Sequence, residues 1–208
     1  MRIRIVLPVV LAALLWFYMF SPWTAGLTNF WVTMAVSGLL LSAISVVFGR
    51  EWVEDIKGTR KVYQVLCGLG IALLLWILFW VGNWASNLLF GFAKYQITSI
   101  YAMKVGLPSW LIALLLLLVI GPAEELFWRG YVQRTLVCEM GKIKGFVITT
   151  AVYTLIHVWS FNFMLIMAAL VCGVIWGGLY LLRPKWFLAL VLSHAVWDAC
   201  VFVVFPIV

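Results

Sequence analysis

The chain alternates long apolar runs with short polar breaks. Crossing a bilayer as a helix takes about 20 mostly apolar residues, with a range of about 17–25. On that measure the sequence predicts spans near 4–21, 28–48, 62–82, 109–136, 145–159, 163–182 and 186–206. The run at 145–159 is short, and a break from Ser160 to Asn162 separates it from the next. The segment 83–107 is less apolar. Leu89, Phe92, Ile100 and Met103 are interleaved there with Lys94, Gln96 and Lys104. This suits an interfacial or re-entrant helix beside a lateral access route, or a tilted eighth span. The expected fold is an all-α, polytopic transmembrane helical bundle of about seven spans, with a range of six to eight. It is expected to form a single integral-membrane domain over 1–208. Gly173-x-x-x-Gly177-Gly178 in the sixth span predicts close helix packing within the bundle.

Composition agrees with this reading. Of 208 residues, 66% are hydrophobic and 10% charged, against about 45–50% and 25% in soluble domains. A soluble globule and a disordered chain are both excluded. The net charge of +7 invites a nucleic-acid reading, but its distribution points elsewhere. Arg2, Arg4, Arg50, Lys57, Arg60, Lys61, Arg134, Lys142, Lys144, Arg183 and Lys185 all fall in alternate inter-span regions. Lys94 and Lys104 fall on the other side, and Arg129 lies within a span. Cytoplasmic loops carry the Lys/Arg excess, so the N-terminus is expected in the cytoplasm and the C-terminus outside. The partner implied is the lipid bilayer, not nucleic acid.

Other signals refine the picture. Trp23, Trp31, Trp80, Trp84, Trp110 and Trp159 fall near predicted outer ends, and Trp52 and Trp186 near inner ends, where amphipathic rings settle. The first span has a basic flank and an apolar run, but Trp23 occupies the position where signal cleavage wants a small residue, so an uncleaved span is expected. Cys67, Cys138, Cys172 and Cys200 show no metal or redox spacing and read as buried small hydrophobes. A short chain with no soluble domain suggests a prokaryotic inner membrane.

Seven acidic residues remain to be placed. Glu51, Glu54, Asp55 and Glu139 lie in loops, whereas Glu124, Glu125 and Asp198 lie inside spans, as do His157, His194 and Arg129. A Glu, Asp or Arg at a helix centre costs roughly 2.5–3.5 kcal/mol on insertion scales, so four cost roughly 10 kcal/mol unpaired. They must pair or line a wet cavity. Glu125 and Arg129 are i,i+4 and can form an ion pair, with Glu124 about 100° away around the helix. His194 and Asp198 are i,i+4 as well. At 1.5 Å rise per residue, Glu124, His157 and Asp198 each lie about 18 Å from the inner end of their spans, and His194 about 12 Å. The four converge near mid-membrane.

A carboxylate beside an imidazole in a low-dielectric pocket can activate water. Polar groups on a facing helix can hold a carbonyl and stabilise its oxyanion. No GxSxG serine, paired intramembrane aspartates or HExxH is present. Rhomboid-like serine, aspartyl and zincin-type proteases are thus unsupported.

Glu124-Glu125-x-x-x-Arg129, continued as Gly130 with Gln133 following, resembles the first motif of the CAAX-protease and bacteriocin-processing (CPBP, or Abi) family of intramembrane proteases. Tyr153-x-x-x-His157 resembles its second motif, usually begun by Phe, and His194-x-x-x-Asp198 its third, which ends in Asn or Asp. The resemblance covers about 109–206, the motif-bearing core. It implies a glutamate-dependent endopeptidase that cleaves membrane-associated substrates, such as CAAX-type prenylated tails or other membrane peptides. Glu124 and His157 would activate water, and His194 and Asp198 would position water or the oxyanion. Glu125, Arg129 and Tyr153 would shape the site. An ionised Asp198 has no proton to donate, so it would act protonated or by orienting His194. No cofactor is expected. Zinc is the alternative, with Glu124, His157, His194 and Asp198 as its ligands. The competing functions are a non-catalytic immunity or scaffolding protein on the same fold, and a proton-coupled transporter.

Overall fold

The computed structural model describes residues 3–49 and 51–207; Arg2 and Arg50, used above for orientation, lie outside the described residues. Among the described residues the secondary structure is helical, with no strand. The helices are α1 (Ile3–Phe20), α2 (Phe30–Phe48), α3 (Trp52–Ile56), α4 (Lys61–Leu89), α5 (Ala93–Ala102), α6 (Ser109–Met140), α7 (Lys142–Ser160), α8 (Phe163–Leu182) and α9 (Pro184–Val204). Six of them, α2, α4 and α6 to α9, are long and apolar enough to cross a membrane, and α1 is a shorter apolar helix. The chain is an all-α polytopic bundle and an integral membrane protein.

Local chemistry sets the helix ends. Asn29 accepts from the backbone N–H of Trp31 and Val32 at the start of α2, and Asn162 from that of Leu165 at the start of α8, so side chains replace missing backbone partners. Gly141, at φ +87°, turns the chain between α6 and α7 in a conformation that favours glycine. The segment 83–107 divides in two. Its first part extends α4 to Leu89, and the remainder forms the short α5, which packs on α8. Gln96 of α5 accepts from the N–H of Met164, and Asn162 donates to the Gln96 carbonyl and to Ser99.

In the bundle α6 packs against α2, α7 and α9, while α9 also packs on α4 and α8 on α7. One end gathers the basic regions. Arg134 pairs with Asp55, the Tyr131 hydroxyl donates to the Arg4 carbonyl, and Lys185 donates to the Glu54 carbonyl. At the opposite end Trp31 donates to the Met103 carbonyl, Tyr101 to that of Val201 and Lys104 to that of Phe202.

Two expectations need correction. Trp31 is buried rather than at an interface, because its N–H is spent on Met103. Of the cysteines only Cys172 is buried, and Cys138 is exposed near the end of α6. Gly173 and Gly177 do mark close packing. A Cβ on Gly173 would lie 3.2 Å from Thr150 and Tyr153, and one on Gly177 3.0 Å from Gln133, whereas Gly178 faces open space.

Candidate active site

The first motif lies on a helix of unusual geometry. Within α6, ordinary helix over Gly121–Glu125 is flanked by π-helical turns at Leu116–Ile120 and Leu126–Gln133. Pro122 lacks an N–H and crowds the turn before it, and the wider first turn absorbs both effects. Such turns are rare and concentrate at functional sites.

Glycine then brings two helices together. A Cβ on Gly121 would sit 2.7 Å from Ala195 Cα and 2.8 Å from its N. Only a residue without a side chain lets α6 approach α9 this closely. The approach sets Glu125 against His194, the neighbour of Ala195.

Glu125 and Arg129 form the ion pair that their spacing allows. Glu125 is fully buried, and its Oε1 accepts from Arg129 Nη1 at 2.9 Å and from His194 Nδ1 at 2.7 Å. An ionised carboxylate only accepts, so Nδ1 of His194 carries the hydrogen and Nε2 turns to Asp198 Oδ2, 3.5 Å away. The Trp176 ring stacks on His194, centroids 3.9 Å apart and planes inclined by 19°, and its N–H donates to Ser193. Arg129 lies over the Tyr153 ring at 4.8 Å and donates to the Cys172 carbonyl at 3.4 Å. The guanidinium charge is thus met by a carboxylate, a carbonyl and an aromatic face.

Glu124 points away from this pair, into a cavity of about 440 Å³. The same cavity is lined by Tyr153, His157, His194 and Asp198, while Glu125 and Arg129 stand behind its wall. The Tyr153 hydroxyl donates to Glu124 Oε2 at 3.2 Å. Most other lining residues are apolar, including Phe20, Phe30, Leu116, Ile120 and Phe163. The volume falls in the usual range of about 300–1,000 Å³ for small-ligand pockets.

His157 is brought to the cavity, but its nitrogens are engaged elsewhere. Nδ1 lies 2.8 Å from the Tyr153 carbonyl, and Nε2 accepts the indole N–H of Trp16 at 3.1 Å. Trp16 is fully buried on α1, outside the three motifs, and carries no local signal of this role. Trp176 is equally invisible in the sequence. Both reach their histidines through tertiary packing.

Zinc fits this donor set poorly. Both nitrogens of His157 already have partners, and so does Nδ1 of His194. Among the described residues no group of three or more His, Cys, Asp or Glu is arranged to hold a metal ion.

Residues 106–200 match the family model described as type II CAAX prenyl endopeptidase Rce1-like. No curated protein and no solved structure matches the chain. The matched stretch contains Glu124, Glu125, Arg129, Tyr153, His157, His194 and Asp198. It supports the CPBP family that the three motifs resemble and, at family level, an intramembrane endopeptidase of the CAAX type.

Proposed function

Taking that family match as premise, we propose that the chain is a glutamate-dependent intramembrane endopeptidase. The observation that carries the reading is the placement of Glu124. It lies on the wall of a largely apolar cavity, beside a hydroxyl, and the His194–Asp198 pair lines the same cavity. In this reading Glu124 takes a proton from a water held in the cavity as the oxygen attacks the peptide carbonyl carbon. The tetrahedral intermediate places negative charge on the former carbonyl oxygen. In this reading Asp198 is protonated and donates a hydrogen bond to that oxyanion, with His194 Nε2 at 3.5 Å from its Oδ2. Glu124 then passes its proton to the amide nitrogen, the C–N bond breaks, and a carboxylic acid and an amine leave.

The supporting groups have separate tasks. Tyr153 orients Glu124 through its hydroxyl. Glu125 holds His194 with Nε2 facing the cavity, and Arg129 balances the charge of Glu125. The apolar walls exclude bulk water, which strengthens every polar contact inside. Substrates are membrane-associated peptides, prenylated tails among them. The residues act without a metal in this reading.

The test is cleavage of labelled membrane and prenylated peptides by purified protein. Glu124→Gln keeps shape and removes the base, so turnover should fall by about 10²–10⁴-fold. Full activity in Glu124→Gln would defeat the assignment. No cleavage by the wild type, with a cellular phenotype that Glu124→Gln retains, would favour the immunity or scaffolding role.

A further inference from the structure

The cavity is open on one side. Most of its lining is buried or half-buried. Among the described residues, four large apolar side chains line it and are also exposed at the surface: Leu78, Phe90, Phe163 and Met167. All four belong to α4, its C-cap or α8. These two helices are not packed against each other; α5 joins them at one end, and α4 rests on α9 instead. Elsewhere the wall is shut by ring contacts, with Phe20 against Phe30 at 5.2 Å and Trp31 against Phe202 at 5.5 Å.

The sequence of α4 explains the slot. Its buried residues are Gln64, Gly68, Ala72 and Leu75, one stripe at helical spacing. A Cβ on Gly68 would sit 2.8 Å from the Ala189 carbonyl oxygen, so this half of α4 is pressed onto α9. The stripe continues as Phe79, Gly82 and Ser86, which line the cavity in the half of α4 away from Lys61. Phe79 still meets Trp197, centroids 4.7 Å apart, and Trp76 donates to the Phe205 carbonyl, so this edge is held in place. At Gly82 the edge is notched, since a Cβ there would meet nothing within 4 Å. Farther along, Phe163 of α8 meets Phe90 at 6.0 Å and Phe92 at 6.1 Å. Gln96 and Asn162 tie α5 to the start of α8. The slot thus has a fixed frame, with Gly82 on its α4 side and Met167 on its α8 side. The exposed side chains beside it, Leu74, Ile77, Val81 and Val174, are apolar, so it opens on lipid.

We propose that this slot is the route by which the apolar chain of a membrane-anchored substrate enters sideways from the lipid. Gly82 is then a specificity-determining residue, because the missing side chain sets the bulk that passes. The peptide bond follows the chain inward to Glu124. This rests on the endopeptidase reading and adds to it a path and a gauge. Gly82 lies outside the matched stretch 106–200 and outside the three motifs.

Two arms test it, with Gly70 as the control position. Gly70 is also an α4 glycine whose Cβ would meet nothing within 4 Å, but it does not line the cavity. The first arm reads binding without turnover. In a Glu124→Gln background lacking the native cysteines, a saturating farnesylated peptide should slow the reaction of Gly82→Cys with a lipid-soluble maleimide. Gly70→Cys should react at its free rate. Slowing of both equally, or of neither, would overturn the proposal. The second arm reads cleavage. Gly82→Phe should raise KM for the farnesylated peptide by about 10-fold, with the smaller part of the loss in kcat. The same peptide without its lipid should lose less, and Gly70→Phe should behave as the wild type. Leaving glycine favours the helix, so the unfolding temperature should not drop. An unchanged KM in Gly82→Phe would also overturn the proposal. If the wild type cuts neither peptide, the endopeptidase reading fails, and the first arm still decides the route.

Discussion

Gly121→Ala probes how the site is assembled without touching any reacting group. The added Cβ would stand 2.7 Å from Ala195 Cα, 2.8 Å from its N and 3.1 Å from its Cβ. Carbon atoms rest at about 3.5–4.0 Å, so α6 and α9 must separate by about 0.8 Å or more. Two of the nearest atoms are backbone, and no flexible side chain can yield. Glu125 lies one turn along α6 and His194 is next to Ala195, so the movement passes directly to their 2.7 Å hydrogen bond. Lengthened to about 3.5 Å, that bond is largely lost. Overpacking should cost about 1–3 kcal/mol of stability. A displacement of about 1 Å at the site should cost about 10²-fold in kcat/KM. Peptide cleavage and thermal unfolding in detergent measure the two effects. Gly178→Ala is the control, because its Cβ meets nothing within 4 Å, and replacing a mid-helix glycine should stabilise by about 0.5–1 kcal/mol. Unchanged kcat/KM and unfolding temperature in Gly121→Ala would refute the idea that this close approach sets the site.

Three further outcomes are expected. Arg129→Met should destabilise by about 3–5 kcal/mol, since it leaves the buried charge of Glu125 without its partner; the Glu125→Gln/Arg129→Met double variant should regain part of that loss in the same denaturation assay. Trp16→Phe keeps an aromatic ring but removes the donor to His157 Nε2, at a cost of about 1–3 kcal/mol for an unpaired buried acceptor. The chain has 2 histidines, so a ¹⁵N-histidine spectrum should show one Nε2 signal moving while that of His194 stays. Chelators should leave peptide cleavage intact; loss restored by zinc would show that the histidines rearrange to bind metal.

Much of the site was legible because the membrane makes charge expensive. In a chain with 10% charged residues, each ionisable residue inside a span needs a reason. Helical periodicity alone then paired Glu125 with Arg129, set His194 and Asp198 on one face and turned Glu124 elsewhere. Apolar run length placed the main helices, missing chiefly the extension of α4 to Leu89; the helix expected within 83–107 is the shorter α5. There the composition is mixed, and contacts of Gln96 with Met164 and of Ser99 with Asn162 decide where helix resumes.

By itself, then, the sequence determined an all-helical membrane protein, its basic end and the residues too costly to be there by chance. These follow from local quantities, namely apolar length, a 3.6-residue period and the placement of charge. Only the tertiary structure decided which helices meet. It set Glu125 against His194 through Gly121, stacked Trp176 on that imidazole, and closed Trp16 onto His157 across 141 positions of chain. It also confined the cavity to the half of the bundle away from the basic end. Contacts between distant segments depend on the shape of every helix between them, and no short stretch of sequence carries that information.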